Sequence, residues 1–135
     1  MIALLLACTP SLPTGLPDWV DGEEQQSTVV HTEDLDVGTG DAAGEGDLVT
    51  VHYRGWLLDG TQFDTSYGRG PFSARLGRGE VIEGWDQGVR GMQPGGRRGL
   101  VLPAPWAYGE NGIPGTIPPN STLVFEIELL SVEAE

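Results

Sequence analysis

The chain has 135 residues, 39% of them hydrophobic, a length and composition that favour one domain with one modest core. Its formal net charge is −13 and its pI is about 4.2, so it lacks the basic surface that a nucleic-acid partner requires. We therefore expect no nucleic-acid partner, and we interpret the dispersed acidic residues as a solvated surface rather than as a cation site.

The first eight residues form an apolar run that ends in Cys8, the single cysteine of the chain. Leu5-Leu6-Ala7-Cys8 resembles the lipobox of bacterial lipoproteins, which implies cleavage before Cys8 and a lipid anchor on that residue. The run is shorter than a secretory signal and no basic residues precede it, so 1–8 would be a truncated or atypical signal. This interpretation predicts a lipoprotein of a bacterial cell envelope that faces the periplasm and contacts the membrane only through Cys8. The alternative is a cytoplasmic protein with a short apolar end and an incidental thiol.

Residues 9–27 contain three prolines, two glycines and four acidic residues without a hydrophobic period. This composition predicts a disordered linker. Its only sizeable apolar pair, Trp19 and Val20, is expected to be exposed, although docking on the domain is an alternative. The folded domain is predicted to occupy 28–135.

The domain carries several short segments in which apolar and polar residues alternate, separated by turn signals such as Asp59-Gly60. In the longest of them, Val49, Val51 and Tyr53 share one face. The predicted strands are 29–37, 47–57, 61–64, 72–76, 97–102 and 122–132. A long proline-rich loop over 103–120 precedes the last strand.

Residues 80–89 form the one convincing amphipathic helix, because Ile82, Trp85 and Val89 fall on a single helical face. Gly84 and Gly88 lie inside it, and each costs about 0.5–1 kcal/mol relative to alanine. A helix that retains such residues is expected to lie close against another element. One sheet with a polar face, crossed by one short helix, is an α+β domain.

Residue types that support metal or nucleophilic chemistry are scarce. His31 and His52 lie in separate strand patterns without a partner at metal-ligand spacing, so we interpret them as exposed strand residues. There is no Gly-x-Ser-x-Gly sequence, and residues 77–84 lack the Gly-Lys-Ser/Thr ending of a phosphate loop. We predict no metal and no cofactor.

Six short motifs occur in order and at near-constant spacing over about residues 48–131. They are Val51-His52-Tyr53-x-Gly55, Asp59-Gly60-x-x-Phe63-Asp64-x-Ser66, Glu80-Val81-Ile82-x-Gly84-Trp85-x-x-Gly88-Val89, Met92-x-x-Gly95, Ala107-Tyr108-Gly109 and Pro118-Pro119-x-x-Thr122-Leu123-x-Phe125. Together they closely resemble the FK506-binding-protein (FKBP) family of peptidyl-prolyl cis–trans isomerases. The resemblance implies a five- or six-stranded antiparallel half-barrel wrapped around one short α-helix.

The resemblance also implies an apolar aromatic cup with Trp85 as the platform under the substrate's proline ring. Asp64 matches a buried carboxylate that orients Tyr53 and Arg69, while the Ile82 N–H and the Tyr108 hydroxyl would donate to substrate carbonyls. The implied catalytic residues are Tyr53, Phe63, Asp64, Trp85, Tyr108 and Phe125. The implied substrate contacts are Arg69, Phe72, Glu80, Val81, Ile82, Ile113 and Ile117.

Two rim positions depart from the common family pattern: Ile113 stands where many members carry histidine, and Thr116 where many carry isoleucine. The expected partners are proline-containing polypeptides, with macrolides such as FK506 or rapamycin as further ligands, and the expected state is a monomer. The resemblance implies an isomerase that assists folding of exported proteins. A catalytically weak module that binds proline-containing segments, or a chaperone, are the alternatives.

Overall fold

The computed structural model describes residues 15–20 and 29–134. Its main feature is a six-stranded antiparallel sheet with strand order β1-β5-β6-β2-β3, in which β4 also pairs with β2. The elements are β1 (His31–Asp36), β2 (Leu48–Leu57), β3 (Gln62–Thr65), β4 (Phe72–Arg75), α1 (Glu83–Gly88), β5 (Arg97–Leu102), a 3₁₀ turn (Ala104–Trp106) and β6 (Leu123–Glu133). The predicted α+β class and the sheet wrapped around one short helix are confirmed.

The two longest strands, β2 and β6, form the centre of the sheet and pair along their whole common length. Their alternation places one set of side chains in the main core, as the sequence predicted. From β6 this set is Leu123, Phe125, Ile127 and Leu129. The intervening Glu126 and Glu128 are only partly buried and lie on the other face.

Helix α1 crosses the inner face of the sheet in close contact with β5. A Cβ on Gly84 would fall 2.5 Å from a methyl group of Leu102, and one on Gly88 would fall 2.6 Å from a methyl of Leu100. The predicted close approach is therefore confirmed. The predicted bounds, 80–89, were too wide, because the extended backbone of Ile82 caps the helix and leaves its first turn to begin at Glu83.

The outer face of the sheet carries a second, smaller core, which is covered by residues 15–20, here called the strap. Val20 is 1% exposed and packs with Trp56, Val101 and Val124. The expectation that Trp19 and Val20 are exposed was wrong. The apolar patch that receives them is built from three separate strands, so it exists only once the sheet has formed.

The predicted signal at 1–8, including Cys8, and most of the predicted linker lie outside the described residues. The domain boundaries therefore stay predictions. Within 15–20 and 29–134, no helix combines the length and apolar character needed to cross a bilayer.

Candidate functional site

An open cup lies between α1, the sheet and the long loop, and Trp85 of α1 forms its floor. Three rings stand nearly perpendicular to the indole. The centroids of Tyr53, Phe72 and Phe125 lie 5.1, 6.1 and 5.4 Å from that of Trp85, with interplanar angles of 78°, 78° and 88°. Such edge-to-face contacts favour one fixed arrangement of the rings. The cup is therefore a preformed aromatic box.

One wall of the cup depends on Gly55, which the sequence analysis named only as part of a motif. Phe63 and Phe125 meet edge to face with centroids 5.7 Å apart. A Cβ on Gly55 would fall 2.8 Å from Cζ of Phe63 and 2.8 Å from Cε1 of Phe125. Any side chain there would push one or both rings away, so the glycine sets the position of this wall.

The cup has a volume of about 150 Å³ and opens to solvent. Apolar cavities of about this size hold a benzene ring, so a five-membered pyrrolidine ring fits. Its lining consists of Tyr53, Phe63, Asp64, Phe72, Glu80, Val81, Ile82, Trp85, Tyr108 and Phe125. Trp85 is only 7% exposed, and yet its indole lines the opening rather than being sealed under other side chains.

A hydrogen-bonded network of Tyr53, Asp64 and Arg69 braces one side of the cup. The Tyr53 hydroxyl donates to Oδ2 of Asp64 over 2.8 Å, and an Arg69 Nη2 donates to Oδ1 over 2.7 Å. The carboxylate is not buried as the resemblance implied, because its side chain is 40% exposed and that of Arg69 is 64% exposed. An ion pair this exposed adds little stability. Its effect is to fix the orientation of Tyr53.

Two hydrogen-bond donors lie at the cup. Ile82 caps α1, so its own N–H precedes the first intrahelical bond and has no acceptor within the helix. Tyr108, 38% exposed, also lines the cup. Burial raises the pKa of its hydroxyl above the ordinary value of 10.0, and the Asp64 carboxylate raises it further. The hydroxyl therefore stays protonated, and able to donate, throughout the neutral range.

The floor also contains a polar atom without a protein partner. Within the described residues, Nε1 of Trp85 is buried and has no hydrogen-bond acceptor. Burying an unpaired N–H costs free energy. Packing against Tyr53 and Phe125, and not a hydrogen bond of the indole, therefore holds the ring in this orientation.

Comparison with known proteins places this cup in a family. Residues 40–130 match the FKBP-type peptidyl-prolyl cis-trans isomerases, a span that includes every residue lining the cup. The chain belongs to this family. The predicted enzyme class, peptidyl-prolyl cis–trans isomerase, is thereby confirmed.

Individual FKBP relatives agree with this assignment. An FK506-binding protein of Neisseria meningitidis serogroup B is 52% identical over 101 residues, which are 74% of this chain and 93% of the relative. The peptidyl-prolyl cis-trans isomerase FPR2 of Saccharomyces cerevisiae is 56% identical over 91 residues, 66% of this chain and 67% of the relative. The crystal structure of FkpA from Escherichia coli superposes with a TM-score of 0.73 at 46% identity, covering 82% of this chain and 51% of FkpA. This FKBP domain thus spans about half the length of FkpA.

All residues that line the cup of this FKBP are among the predicted site residues, but three predicted substrate contacts lie elsewhere. Ile117 is 2% exposed in the main core and is joined to Ile113 by an isolated β-bridge. Ile113 is half-buried against that core. Arg69 lines a neighbouring groove instead of the cup. The long loop therefore contributes Tyr108 to the cup, while the bridge keeps Ile113 and Ile117 outside its lining.

Proposed function

We propose that the cup accelerates rotation of X-Pro peptide bonds by holding the proline ring against Trp85 in an apolar surrounding. Rotation about a peptide bond meets a barrier of about 18–20 kcal/mol because the amide is conjugated. No covalent bond needs to break, so the protein only has to favour the twisted amide. The planar ground state is more dipolar and loses more when it leaves water, which lowers the barrier in a dry aromatic box.

In this proposal the donors at the rim hold the substrate chain on either side of the twisting bond. The Ile82 N–H and the Tyr108 hydroxyl donate to substrate carbonyls, and the Tyr53 hydroxyl, held by Asp64, forms part of the polar wall. Each 1.36 kcal/mol gained in the twisted state raises the rate about tenfold. The single observation that carries the proposal is the open, indole-floored cup.

The test is a cis–trans exchange assay on a short proline-containing peptide, read by NMR line shapes or exchange spectroscopy. We expect catalysed exchange by the wild type and a loss of at least about tenfold in kcat/KM for Trp85→Ala and for Phe63→Ala. Gln87→Ala is the matched control, since Gln87 lies exposed on the other side of the same helix. Peptide binding without catalysed exchange would instead identify a proline-segment binding module.

We infer further that the protein assists folding of exported proteins as a monomer tethered through Cys8 to the periplasmic side of a bacterial envelope. The support is the resemblance of Leu5-Leu6-Ala7-Cys8 to a lipobox. Metabolic labelling with an acyl-chain analogue tests it in a bacterial host. We expect label and membrane association in the wild type and neither in Cys8→Ala, whereas an unlabelled wild type would contradict the anchor.

Macrolides such as FK506 and rapamycin are proposed as ligands of the same cup, because most of its lining is aromatic or aliphatic and it contains two rim donors. Competition with the proline peptide in the exchange assay tests this. We expect inhibition by FK506 and weaker binding to Phe125→Ala. Normal exchange in the presence of saturating FK506 would contradict macrolide binding while leaving the isomerase proposal intact.

A further inference from the structure

A second depression adjoins the cup on the side of β3. It has a volume of about 290 Å³ and shares Phe63 and Asp64 with the lining of the cup. Its remaining lining residues are Gln62, Thr65, Tyr67 and Arg69. Because the two cavities share a wall, a polypeptide whose proline occupies the cup is within reach of this groove.

The walls of the groove are held in place by contacts within the domain. The Thr65 hydroxyl donates to the Tyr53 carbonyl over 3.0 Å and accepts the Tyr67 N–H over 3.1 Å. The Tyr67 ring stacks on His52 with centroids 4.6 Å apart, and the Arg54 guanidinium lies 4.9 Å from its centroid. A preformed surface loses little conformational entropy when a ligand binds.

The groove offers hydrogen-bond donors from Arg69 and from the amide of Gln62, whose side-chain oxygen is also an acceptor. Oδ1 of Asp64 already accepts from Arg69 and Thr65, and Oδ2 accepts from Tyr53, so this carboxylate has little capacity left for a ligand. The Nε and Nη2 of Arg69 are also engaged, but its Nη1 has no acceptor within the described part of the chain. The Gln62 side chain is exposed. Such donors match the carbonyl oxygens of an extended peptide.

We propose that this groove binds the stretch of substrate polypeptide that flanks the isomerised proline, through its backbone carbonyls and against the exposed edge of Tyr67. The inference rests on the proposed function of the cup and extends it, because it makes substrate length a determinant of specificity. Binding along the groove stabilises ground state and twisted state equally. It is therefore expected to lower KM and leave kcat unchanged.

The test compares a four-residue X-Pro peptide with the same core extended by three residues before, or by three residues after, the X-Pro unit. We expect one extension to raise kcat/KM about fivefold in the wild type, within the range of one aromatic contact. This ratio of long to short peptide should fall toward one in Tyr67→Ala and in Gln62→Ala. Gln87→Ala, on the exposed face of α1, should keep the wild-type ratio.

The outcomes separate the two proposals. Absence of turnover on the short peptide in the wild type would overturn the isomerase assignment of the cup. Turnover without any gain from either extension, or a gain that persists in both Tyr67→Ala and Gln62→Ala, would overturn the groove alone. Because Tyr67→Ala also removes the stacking partner of His52, thermal unfolding of each variant is recorded. Gln62→Ala leaves the stacking of Tyr67 on His52 in place.

Discussion

Trp19 lies directly on the backbone of Gly99, where an added Cβ would collide with the indole ring. The indole Nε1 donates to the Glu126 carboxylate over 2.8 Å, and Glu126 is the cross-strand partner of Gly99. A residue ahead of β1 is thus fitted to a position on β5 that has no side chain. The strap covers the sheet on the face opposite the cup.

The strap is expected to stabilise the domain without taking part in catalysis. We expect Trp19→Ala to lower the free energy of unfolding by about 2 kcal/mol, less than for a fully buried tryptophan. The kcat/KM for a short proline peptide should remain at the wild-type value, since Trp19 does not line the cup. Urea denaturation of both proteins measures the difference.

A double-mutant cycle distinguishes specific docking from a general loss of apolar contact. Gly99→Ala should cost about 1–3 kcal/mol in the wild type by displacing the indole, and close to nothing in the Trp19→Ala background. Additive effects of the two substitutions would contradict the fitted contact between Trp19 and Gly99.

The two glycines of α1 provide a second prediction, in which packing opposes helix propensity. Alanine at position 84 would gain about 1 kcal/mol of intrinsic helix stability. Its Cβ would, however, fall 2.5 Å from a methyl group of Leu102, and overpacking of this kind costs about 1–3 kcal/mol. We expect Gly84→Ala to lower the unfolding free energy, while Gln87→Ala on the exposed face does not. A stabilised Gly84→Ala protein would show that helix and sheet move apart easily.

The same glycines show how much of this fold was predictable from sequence. Alternation within a strand and periodicity within a helix are local signals, so the main core and the closeness of α1 to the sheet followed from the residues alone. The helix bounds did not, because the extended cap at Ile82 follows a turn that no hydrophobic period encodes. Local patterns placed the elements but not their ends.

The remaining errors concern contacts between segments that are distant in sequence. The patch under Val20 combines Trp56, Val101 and Val124 from β2, β5 and β6, and no single strand pattern reveals it. The family motif predicts Ile117 as a substrate contact. In the structure Ile117 forms a β-bridge with Ile113 and its side chain packs in the main core. The motifs predicted the cup itself. That Gly55 leaves the space for Phe63 and Phe125 could be recognised only from the structure.

Gly55 provides a third prediction, on activity. The added methyl of Gly55→Ala would meet Phe63 and Phe125 at 2.8 Å, and at least one ring must shift into the cup or away from it. We expect kcat/KM to fall about tenfold, which corresponds to about 1.36 kcal/mol of lost stabilisation of the twisted state. The exchange assay on a short proline peptide measures it.

The control for Gly55→Ala is a glycine-to-alanine substitution at a position where an added Cβ meets no close neighbour. Gly44 has an ordinary backbone conformation, and a Cβ there would meet only Oδ2 of Asp47, at 3.6 Å. Gly44→Ala should retain wild-type kcat/KM. Equal loss of activity in both variants would mean that the wall formed by Phe63 and Phe125 has no special role.

The fourth prediction concerns pH. Burial raises the pKa of both Tyr53 and Tyr108 above the ordinary value of 10.0, and the Asp64 carboxylate raises each of them further. Both hydroxyls therefore remain protonated below about pH 10. His31 and His52 do not line the cup. We expect kcat/KM to be constant from about pH 6 to about pH 9, so a bell-shaped profile with a midpoint near neutrality would contradict the assigned donors.

The raised pKa of Tyr53 also predicts how stability changes in alkali. Below the ordinary value of 10.0 the hydroxyl is protonated in the folded and unfolded states, and its full contribution to stability is present. As the pH rises further, the unfolded state loses the proton first, so the free energy of unfolding falls until the folded pKa has been passed. Tyr53→Phe removes this group, and its free energy of unfolding should decline less steeply than that of the wild type between about pH 9 and pH 11. Urea denaturation across that interval measures both slopes. Identical slopes would contradict a raised pKa at Tyr53, whatever the variant's absolute stability.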